Sequence, residues 1–245
     1  MKLSGRIIEI TETASTNEYL RQLHQTERLS EGVTVSAQFQ THGRGQMGNS
    51  WESEAGKNLL FSTILFPAKV EIAKQFVISQ MVSVSMQEAL EQYVKPVTLK
   101  WPNDLYYGKK KLAGILIEND ICGKNIALSI VGIGVNVNQE VFTSGSPNPV
   151  SLKQILGREV DKKQLLRIYL ERMSHNYALL NKKKSDEIGQ KYHSSLFRKE
   201  GFHPFRDEHS LFAARIEKVA PTGYLHLVTE NGEKRKYFFK EIEFV

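Results

Sequence analysis

The chain has 245 residues, 33 Lys and Arg against 27 Asp and Glu, 40% hydrophobic residues and one cysteine. That length suits one large domain, or one domain with a small appendage, at roughly 150 residues per domain. The apolar content excludes a disordered chain, and a single cysteine excludes a disulfide framework or a multi-cysteine metal site and fits a reducing, cytoplasmic compartment.

No apolar run approaches the ~18 residues that a membrane span needs. The opening MKLSGRIIEI also lacks the apolar centre of a signal peptide. Residues 6–12 alternate as a short strand does. Ser15-Thr16-Asn17-Glu18 then precedes a helical pattern at Tyr19, Leu20 and Leu23, and Ser-x-x-Glu reads as a capping box. Residues 33–38 are β-branched and predict a strand, 43–51 a glycine-rich loop, and 58–66 a strand closed by Pro67. A long helix is expected over 72–93, with apolar residues at Ile72, Phe76, Val77, Met81, Val84 and Leu90.

Four strands in sequence follow, at 97–101, 105–107, 111–118 and 125–138, broken by Pro102-Asn103-Asp104, Gly108-Lys109 and Cys122-Gly123-Lys124. Connections this short make antiparallel neighbours. A Ser/Gly/Pro/Asn loop spans 145–149, and one or two helices run from 161 to about 195. The tail returns to strands, at 213–219, 224–229 and 236–242, and Asn231-Gly232 is a hairpin signal. The order predicts an α/β or α+β domain of about 190 residues and a small β-barrel-like appendage.

Residues 158–200 hold eleven Lys and Arg against six Asp and Glu, including Lys182, Lys183 and Lys184. A basic stripe is one footprint of nucleic-acid binding. Apolar residues recur through it at helical spacing (Leu165, Ile168, Leu170, Met173, Tyr177, Leu180), so the solvated face of a long helix is the favoured reading.

Three clusters carry chemistry. Gly43-Arg44-Gly45-Gln46-Met47-Gly48 matches G-x-G-x-x-G literally, yet a strand rather than a helix follows and no acid stands near position 63. A dinucleotide site needs both, so that reading fails. A glycine-rich turn around an arginine still suits an anion, a phosphate or a carboxylate. The second cluster is Lys100-Trp101-Pro102-Asn103-Asp104 followed by Lys111-Leu112-Ala113-Gly114-Ile115-Leu116-Ile117-Glu118. Gly114 leaves room for close approach of a ligand, and Lys100 and Lys111 are expected on neighbouring strands. The third is Gly132-Ile133-Gly134-Val135-Asn136-Val137-Asn138, where paired glycines weaken a strand unless something packs there.

With Ser15-Thr16-Asn17, Gln40 to Trp51 and the terminal β region, these motifs stand in an order that resembles the biotin–protein ligases over nearly the whole chain. The resemblance implies an α+β fold: a class II aminoacyl-tRNA synthetase-like mixed sheet with flanking helices over 1–195, plus a small SH3-like β-barrel domain over 196–245. It implies a two-step reaction. Biotin and ATP, with Mg2+, give biotinyl-5′-AMP, and the acyl group then passes to a lysine of a biotin carboxyl carrier protein. The catalytic motif begins at Ser15, so the monofunctional type, without a DNA-binding domain and with no DNA or membrane partner, is expected; a homodimer is possible.

Residue by residue, the resemblance implies that Lys111 bridges the biotin carboxylate and the α-phosphate and that Arg44 holds the acyl phosphate, with Asp104 and Lys100 near the phosphates. Ser15, Thr16, Asn17 and Gln40, with Gly43 and Gly114, belong to the biotin side. Trp51, Asn103 and Asn136 belong to the nucleotide side. No metal ligands are implied by number. The family's loop is richer in arginine: Gln46, Met47 and Asn49 stand where basic residues are usual, so the loop is expected to hold the intermediate less tightly.

Two rivals remain. A lipoate–protein ligase shares the fold and the two-step logic, but its arginine pair and triple-glycine run are absent. A nucleic-acid-binding module would use 158–200 and the terminal β region. Residues 202–245 balance seven Lys and Arg with seven Asp and Glu, and so offer no phosphate-binding field.

Overall fold

The computed structural model describes residues 3, 5–143, 148–182 and 185–245. The loop expected over 145–149 lies partly outside them, as do Lys183 and Lys184 of the lysine run.

The chain opens with β1 (Ile7–Thr13), α1 (Thr16–Glu27), β2 (Thr34–Gln40) and β3 (Leu59–Leu65). α2 (Phe76–Leu90) follows, then β4 (Val97–Lys100), β5 (Asp104–Tyr107), β6 (Lys110–Cys122) and β7 (Asn125–Val135). Three helices come next, α3 (Leu152–Leu156), α4 (Lys162–Asn181) and α5 (Ser185–Ser194). The last strands are β8 (His203–Arg206), β9 (Leu211–Val219), β10 (Leu225–Thr229), β11 (Lys234–Tyr237) and β12 (Glu243–Phe244).

The first seven strands form one mixed sheet in the order β1-β2-β3-β7-β6-β5-β4. β1 and β2 are parallel and the remaining pairs antiparallel. The last five strands form an antiparallel sheet of their own, β11-β10-β9-β8-β12. This is the α+β architecture, mixed sheet plus C-terminal antiparallel sheet, that the sequence predicts.

β3 shows why the large sheet is the centre of the molecule. All seven of its residues, Leu-Leu-Phe-Ser-Thr-Ile-Leu, are buried. Side chains alternate across a strand, so Leu59, Phe61 and Leu65 join the core under α2 and α4, and Ile64 joins a second core with Leu20 of α1 and Val35 of β2. Phe61 packs on Tyr169 of α4 at 5.2 Å between ring centres. The larger core continues into the C-terminal sheet through Phe205, Ile216, Leu225 and Leu227. Trp101 fixes that junction, its Nε1 donating to the Gly223 carbonyl at 2.9 Å.

Several local expectations change. The helix expected from 72 to 93 starts as a one-turn 3-10 segment at Ile72–Lys74 and becomes α-helical at Phe76. The basic stretch does present a solvated helix face, with Leu165, Tyr169, Met173 and Tyr177 buried on the other side of α4. The capping box at Ser15 and Glu18 does not form. Ser15 is the N-cap residue but its side chain makes no cap hydrogen bond. A different N–H of this helix start is met from β2: the Thr16 backbone N–H donates to Gln40 Oε1 at 2.7 Å. A capping box forms where none was expected, at Ser151 and Gln154 before α3.

Candidate active site

Directly opposed residues in a sheet share a face. Across β4, β5, β6, β7 and β3 the register aligns Lys100 with Asp104, Asp104 with Gly114, Gly114 with Gly134, and Gly134 with Leu60. The next row aligns Leu116, Gly132 and Ser62. One face of the sheet therefore carries two charged groups on its β4 side, a glycine shelf in the middle and a hydroxyl beyond it.

Lys111 is three residues before Gly114, so regular alternation would point it to the opposite face. A register shift between Leu105 and Tyr106 skips Leu112 and pairs Lys111 with Tyr106. That bulge brings Lys111 onto the face of Asp104 and Gly114, as bulges do when they re-aim a side chain. Its Nζ lies 2.8 Å from Asp104 Oδ1, as an ion pair rather than an aligned hydrogen bond, with both side chains about one-fifth exposed. The structure corrects one expectation here: Lys100 and Lys111 are not on neighbouring strands, because β5 runs between β4 and β6.

The shelf sits in a cavity of about 410 Å³. Its walls include Ser15, Thr16 and Asn17 at the start of α1, Gln40 at the end of β2, Arg44 and Trp51 of the glycine loop, and Lys100, Asn103, Asp104, Lys111 and Gly114. So eleven of the thirteen expected site residues converge. Gly43 and Asn136 do not line it. Gly43 packs beneath Trp51, where a Cβ would come within 2.7 Å of the Trp51 carbonyl oxygen. Asn136, 3% exposed, stands behind the wall and donates from Nδ2 to the Lys111 carbonyl at 3.3 Å. Asn103 lines the cavity, but its amide donates to the Ile115 carbonyl at 2.8 Å.

At the α1 end the polar groups form a tight network. The Thr16 hydroxyl donates to Gln40 Oε1 at 2.9 Å. Ser62 Oγ lies 2.7 Å from Thr16 Oγ1 and 2.6 Å from Asn17 Oδ1, and its one proton serves either. Asn17 Nδ2 donates to Glu118 Oε2 at 2.9 Å. Gly132 makes this possible: a Cβ there would lie 2.2 Å from Asn17 Oδ1.

The other end is cationic. Arg44 Nη2 faces Glu118 Oε1 at 3.3 Å. Its loop is pinned as a small hairpin, with Arg44 bridged to Ser50, the Gly45 N–H donating to the Asn49 carbonyl and the Trp51 N–H to the Gly43 carbonyl. The Trp51 indole lies over the shelf, so close that a Cβ on Gly134 would meet it at 2.4 Å. Its Nε1 is buried without a hydrogen-bond partner among the described residues, and Lys111 Nζ is 5.5 Å from the ring centre. Lys100 Nζ sits over the rings of Tyr106 and Phe244 and donates to the Tyr106 hydroxyl at 3.2 Å. Burial lowers the Lys100 pKa from the ordinary lysine range, against the opposing pull of Asp104. Burial, with the Asp104 charge, pushes the Tyr106 hydroxyl up to about 12.

Residues 6–136 match the biotin/lipoate A/B protein ligase family, just over half of the chain. The chain belongs to that family. It is 35% identical to the bifunctional ligase/repressor BirA of Escherichia coli over 136 residues, which cover 54% of this chain and 41% of that protein. It is 32% identical to the biotin–[acetyl-CoA-carboxylase] ligase of Paracoccus denitrificans over 145 residues, 56% of this chain and 60% of that one. The matched region is thus less than two-thirds of these relatives' own length. Among solved structures, the biotin protein ligase of Aquifex aeolicus in complex with biotin and ATP overlays with a TM-score of 0.80 at 29% identity, covering 98% of both chains.

The motifs leave out one set of cavity residues and two residues that stand behind the wall and hold it, Ser62 and Glu118. Ser62 was signalled by the hydroxyl pair Ser62-Thr63 in the middle of an apolar strand, since a buried hydroxyl without a partner is costly. Glu118 was marked by a charge following an apolar run. Phe239, Lys240, Ile242, Glu243 and Phe244 reach the cavity from the C-terminal sheet, and no local signal foretells so distant a contact. Among the described residues no group of three or more His, Cys, Asp or Glu could hold a metal alone, and no helix is long and apolar enough to cross a membrane.

Proposed function

We propose that this protein joins biotin to a lysine of a biotin carboxyl carrier protein at the expense of ATP, through biotinyl-5′-AMP. One observation carries the reading: Lys111 stands between a hydrogen-bonded pocket and a mouth of ion-paired side chains, Lys111 with Asp104 and Arg44 with Glu118. Biotin has an apolar bicycle with a polar ureido edge. The edge finds donors and acceptors at Ser15, Thr16, Asn17 and Gln40, and the bicycle and its chain take the place over Gly114 and Gly134 that the Trp51 ring fills here, once that ring lifts away.

In the first step a biotin carboxylate oxygen attacks the α-phosphorus. The bond from that phosphorus to the oxygen bridging the β-phosphorus breaks, and pyrophosphate leaves. Two anions must meet, so the step needs cations whose hold strengthens as charge builds on the phosphorus. Lys111 and Arg44 supply them once the substrate oxygens replace Asp104 and Glu118 as their partners. Trp51 and its loop cover the mixed anhydride and keep water away. In the second step the acceptor lysine, having lost a proton, attacks the acyl carbon. An amide forms and AMP departs.

Magnesium fits this cavity through one carboxylate. Asp104 Oδ1 receives no aligned hydrogen bond, and Mg2+ is commonly held by one or two carboxylates together with substrate phosphates. There it would neutralise phosphate charge. In this reading residues 1–195 are the catalytic domain and 196–245 an SH3-like domain that closes the cavity mouth.

The test is pyrophosphate release from ATP and magnesium with biotin or lipoate offered separately. Release with biotin and not with lipoate supports the reading, because a dithiolane gives Thr16, Asn17 and Gln40 no polar partner. Release with lipoate alone reassigns the substrate. Release with neither removes the ligase reading.

A further inference from the structure

The two amide side chains of the pocket are locked in opposite senses. Gln40 Oε1 receives both the Thr16 backbone N–H, at 2.7 Å, and the Thr16 hydroxyl, at 2.9 Å. Its oxygen is therefore occupied, while its Nε2 has no hydrogen-bond partner among the described residues. Gln40 lines the cavity and offers it a donor. Asn17 is the reverse. Its Nδ2 faces Glu118 Oε2 at 2.9 Å and the Leu116 carbonyl at 3.4 Å. A carboxylate and a backbone carbonyl accept and do not donate, so the nitrogen end of the amide must lie there. Its Oδ1 faces Ser62 Oγ at 2.6 Å beside Gly132, with a lone pair to spare. Asn17 is 2% exposed and lines the cavity, so what it offers is an acceptor. One donor and one acceptor on the same wall match a group that carries a carbonyl next to an N–H.

Glu118 decides the sense of Asn17. Ser62 cannot, because a hydroxyl pairs with an amide oxygen or an amide nitrogen alike. The contact to the Leu116 carbonyl is long. Among the partners of Asn17, Glu118 alone is both close and unable to donate. It is in place because Leu116 and Glu118, two apart on β6, share a face. Gly132, opposite Leu116, leaves the gap that Asn17 fills. Glu118 itself is not in the cavity wall. Its other oxygen, Oε1, lies 3.3 Å from Arg44 Nη2, and that half-exposed ion pair holds the carboxylate turned towards Asn17.

We propose that Glu118 is a positioning residue for substrate choice: acting through Asn17, it turns the pocket's acceptor towards the ligand and selects an acid whose polar edge places an N–H there. This rests on the ligase reading above and deepens it.

Calorimetric binding of biotin, and of its two analogues in which one ureido N–H is replaced by an oxygen atom, to the wild type and Glu118→Gln tests it. Glutamine keeps the shape of the side chain but carries a donor as well as an acceptor, so Asn17 is free to turn over. The wild type is expected to bind at least one analogue about 100-fold more weakly than biotin, because a ring oxygen then meets Asn17 Oδ1. Glu118→Gln should lose about tenfold of its biotin affinity and none for that analogue, so the discrimination falls about tenfold. Its KM for biotin should rise about tenfold with kcat within about threefold of wild type. Equal losses for biotin and analogue, or a kcat that falls with the affinity, mark a general loosening and overturn the inference. Unchanged discrimination overturns it too. The wild type supplies a check that needs no variant to fold: if both analogues bind within about threefold of biotin, no N–H is read at Asn17 and the inference fails. A wild type that binds none of the three ligands removes the ligase reading itself, a different failure.

Discussion

At the Asn17 end of the cavity, Thr16, Gln40, Ser62 and Asn17 are joined by hydrogen bonds of 2.6–2.9 Å, and Thr16, Asn17 and Ser62 are each at most 4% exposed. At the Lys111 end the groups are ions: Lys111 with Asp104 at 2.8 Å, and Arg44 with Glu118 at 3.3 Å on a side chain 46% exposed. The first end is a fixed template whose shape depends on packing. The second is a set of exchangeable partners, held by Coulomb attraction that a substrate anion can take over. Recognition and chemistry are thereby given to different kinds of interaction. Glu118 touches both ends, through Asn17 and through Arg44.

The largest effect belongs to the ionic end. Lys111→Ala removes the cation that joins the two anions, and biotin-dependent pyrophosphate release should fall more than ~1000-fold. A fall of less than tenfold would mean that the charge is not where the reaction occurs. Next comes the fixed end. A Cβ at position 132 would lie 2.2 Å from Asn17 Oδ1, so Gly132→Ala must displace Asn17. Biotin affinity, measured by calorimetry, should drop about 100-fold, the equivalent of roughly two hydrogen bonds, and stability by about 1–3 kcal/mol. Ser62→Ala removes the buried hydroxyl behind the cavity that holds Thr16 and Asn17 in place. It should raise the KM for biotin about tenfold with kcat nearly unchanged, as loss of uniform binding does.

Two smaller effects separate the ends by their electrostatics. Raising ionic strength from ~0.05 to ~0.5 M shortens the screening length from about 14 to about 4 Å, which should raise the KM for ATP about threefold and that for biotin by less than about twofold. Equal sensitivity would erase the distinction. The smallest effect concerns Lys100. Burial lowers its pKa, so the folded chain binds this proton less firmly than the unfolded chain. Between the lowered folded pKa and the ordinary value the unfolded state holds more protons, and stability gained from this residue rises with pH. The charged side chain thus costs stability at neutral pH. Lys100→Met should melt about 2–4 °C higher than wild type at pH 7, and the gap should close as pH approaches ~10.

Much of the fold was legible because its signals are local. Turn residues at 102–104, 108–109 and 122–124 predicted the antiparallel run β4 to β7, and the strands appear within a few residues of their expected ends. Most of the candidate site was legible because its residues cluster in short motifs at strand ends and loops. What escaped depends on three-dimensional partners. The bulge at Leu112 leaves no mark in composition, yet it decides which way Lys111 points. Ser15 and Ser151 both begin Ser-x-x-Glu or Ser-x-x-Gln patterns, but only the second forms a box; at the first, the contact that forms is a long-range one, Thr16 with Gln40. β8 was unmarked: His203-Pro204-Phe205-Arg206 owes its strand form to β9 and β12 rather than to its own propensity. The C-terminal wall is formed by contacts such as Trp101 to Gly223, which no periodicity encodes.

The most direct test of a carboxylate meeting an α-phosphate at Lys111 follows the oxygen. Biotin labelled with oxygen-18 in both carboxylate positions is turned over with magnesium-ATP and the carrier domain, and the products are weighed by mass spectrometry. The account expects one labelled oxygen in each AMP, carried there when the acyl–oxygen bond of biotinyl-5′-AMP is cleaved, and one retained in the new amide. Label in inorganic phosphate with release of ADP would place the attack on the γ-phosphorus, and unlabelled AMP would mean that no acyl adenylate forms; either result contradicts it.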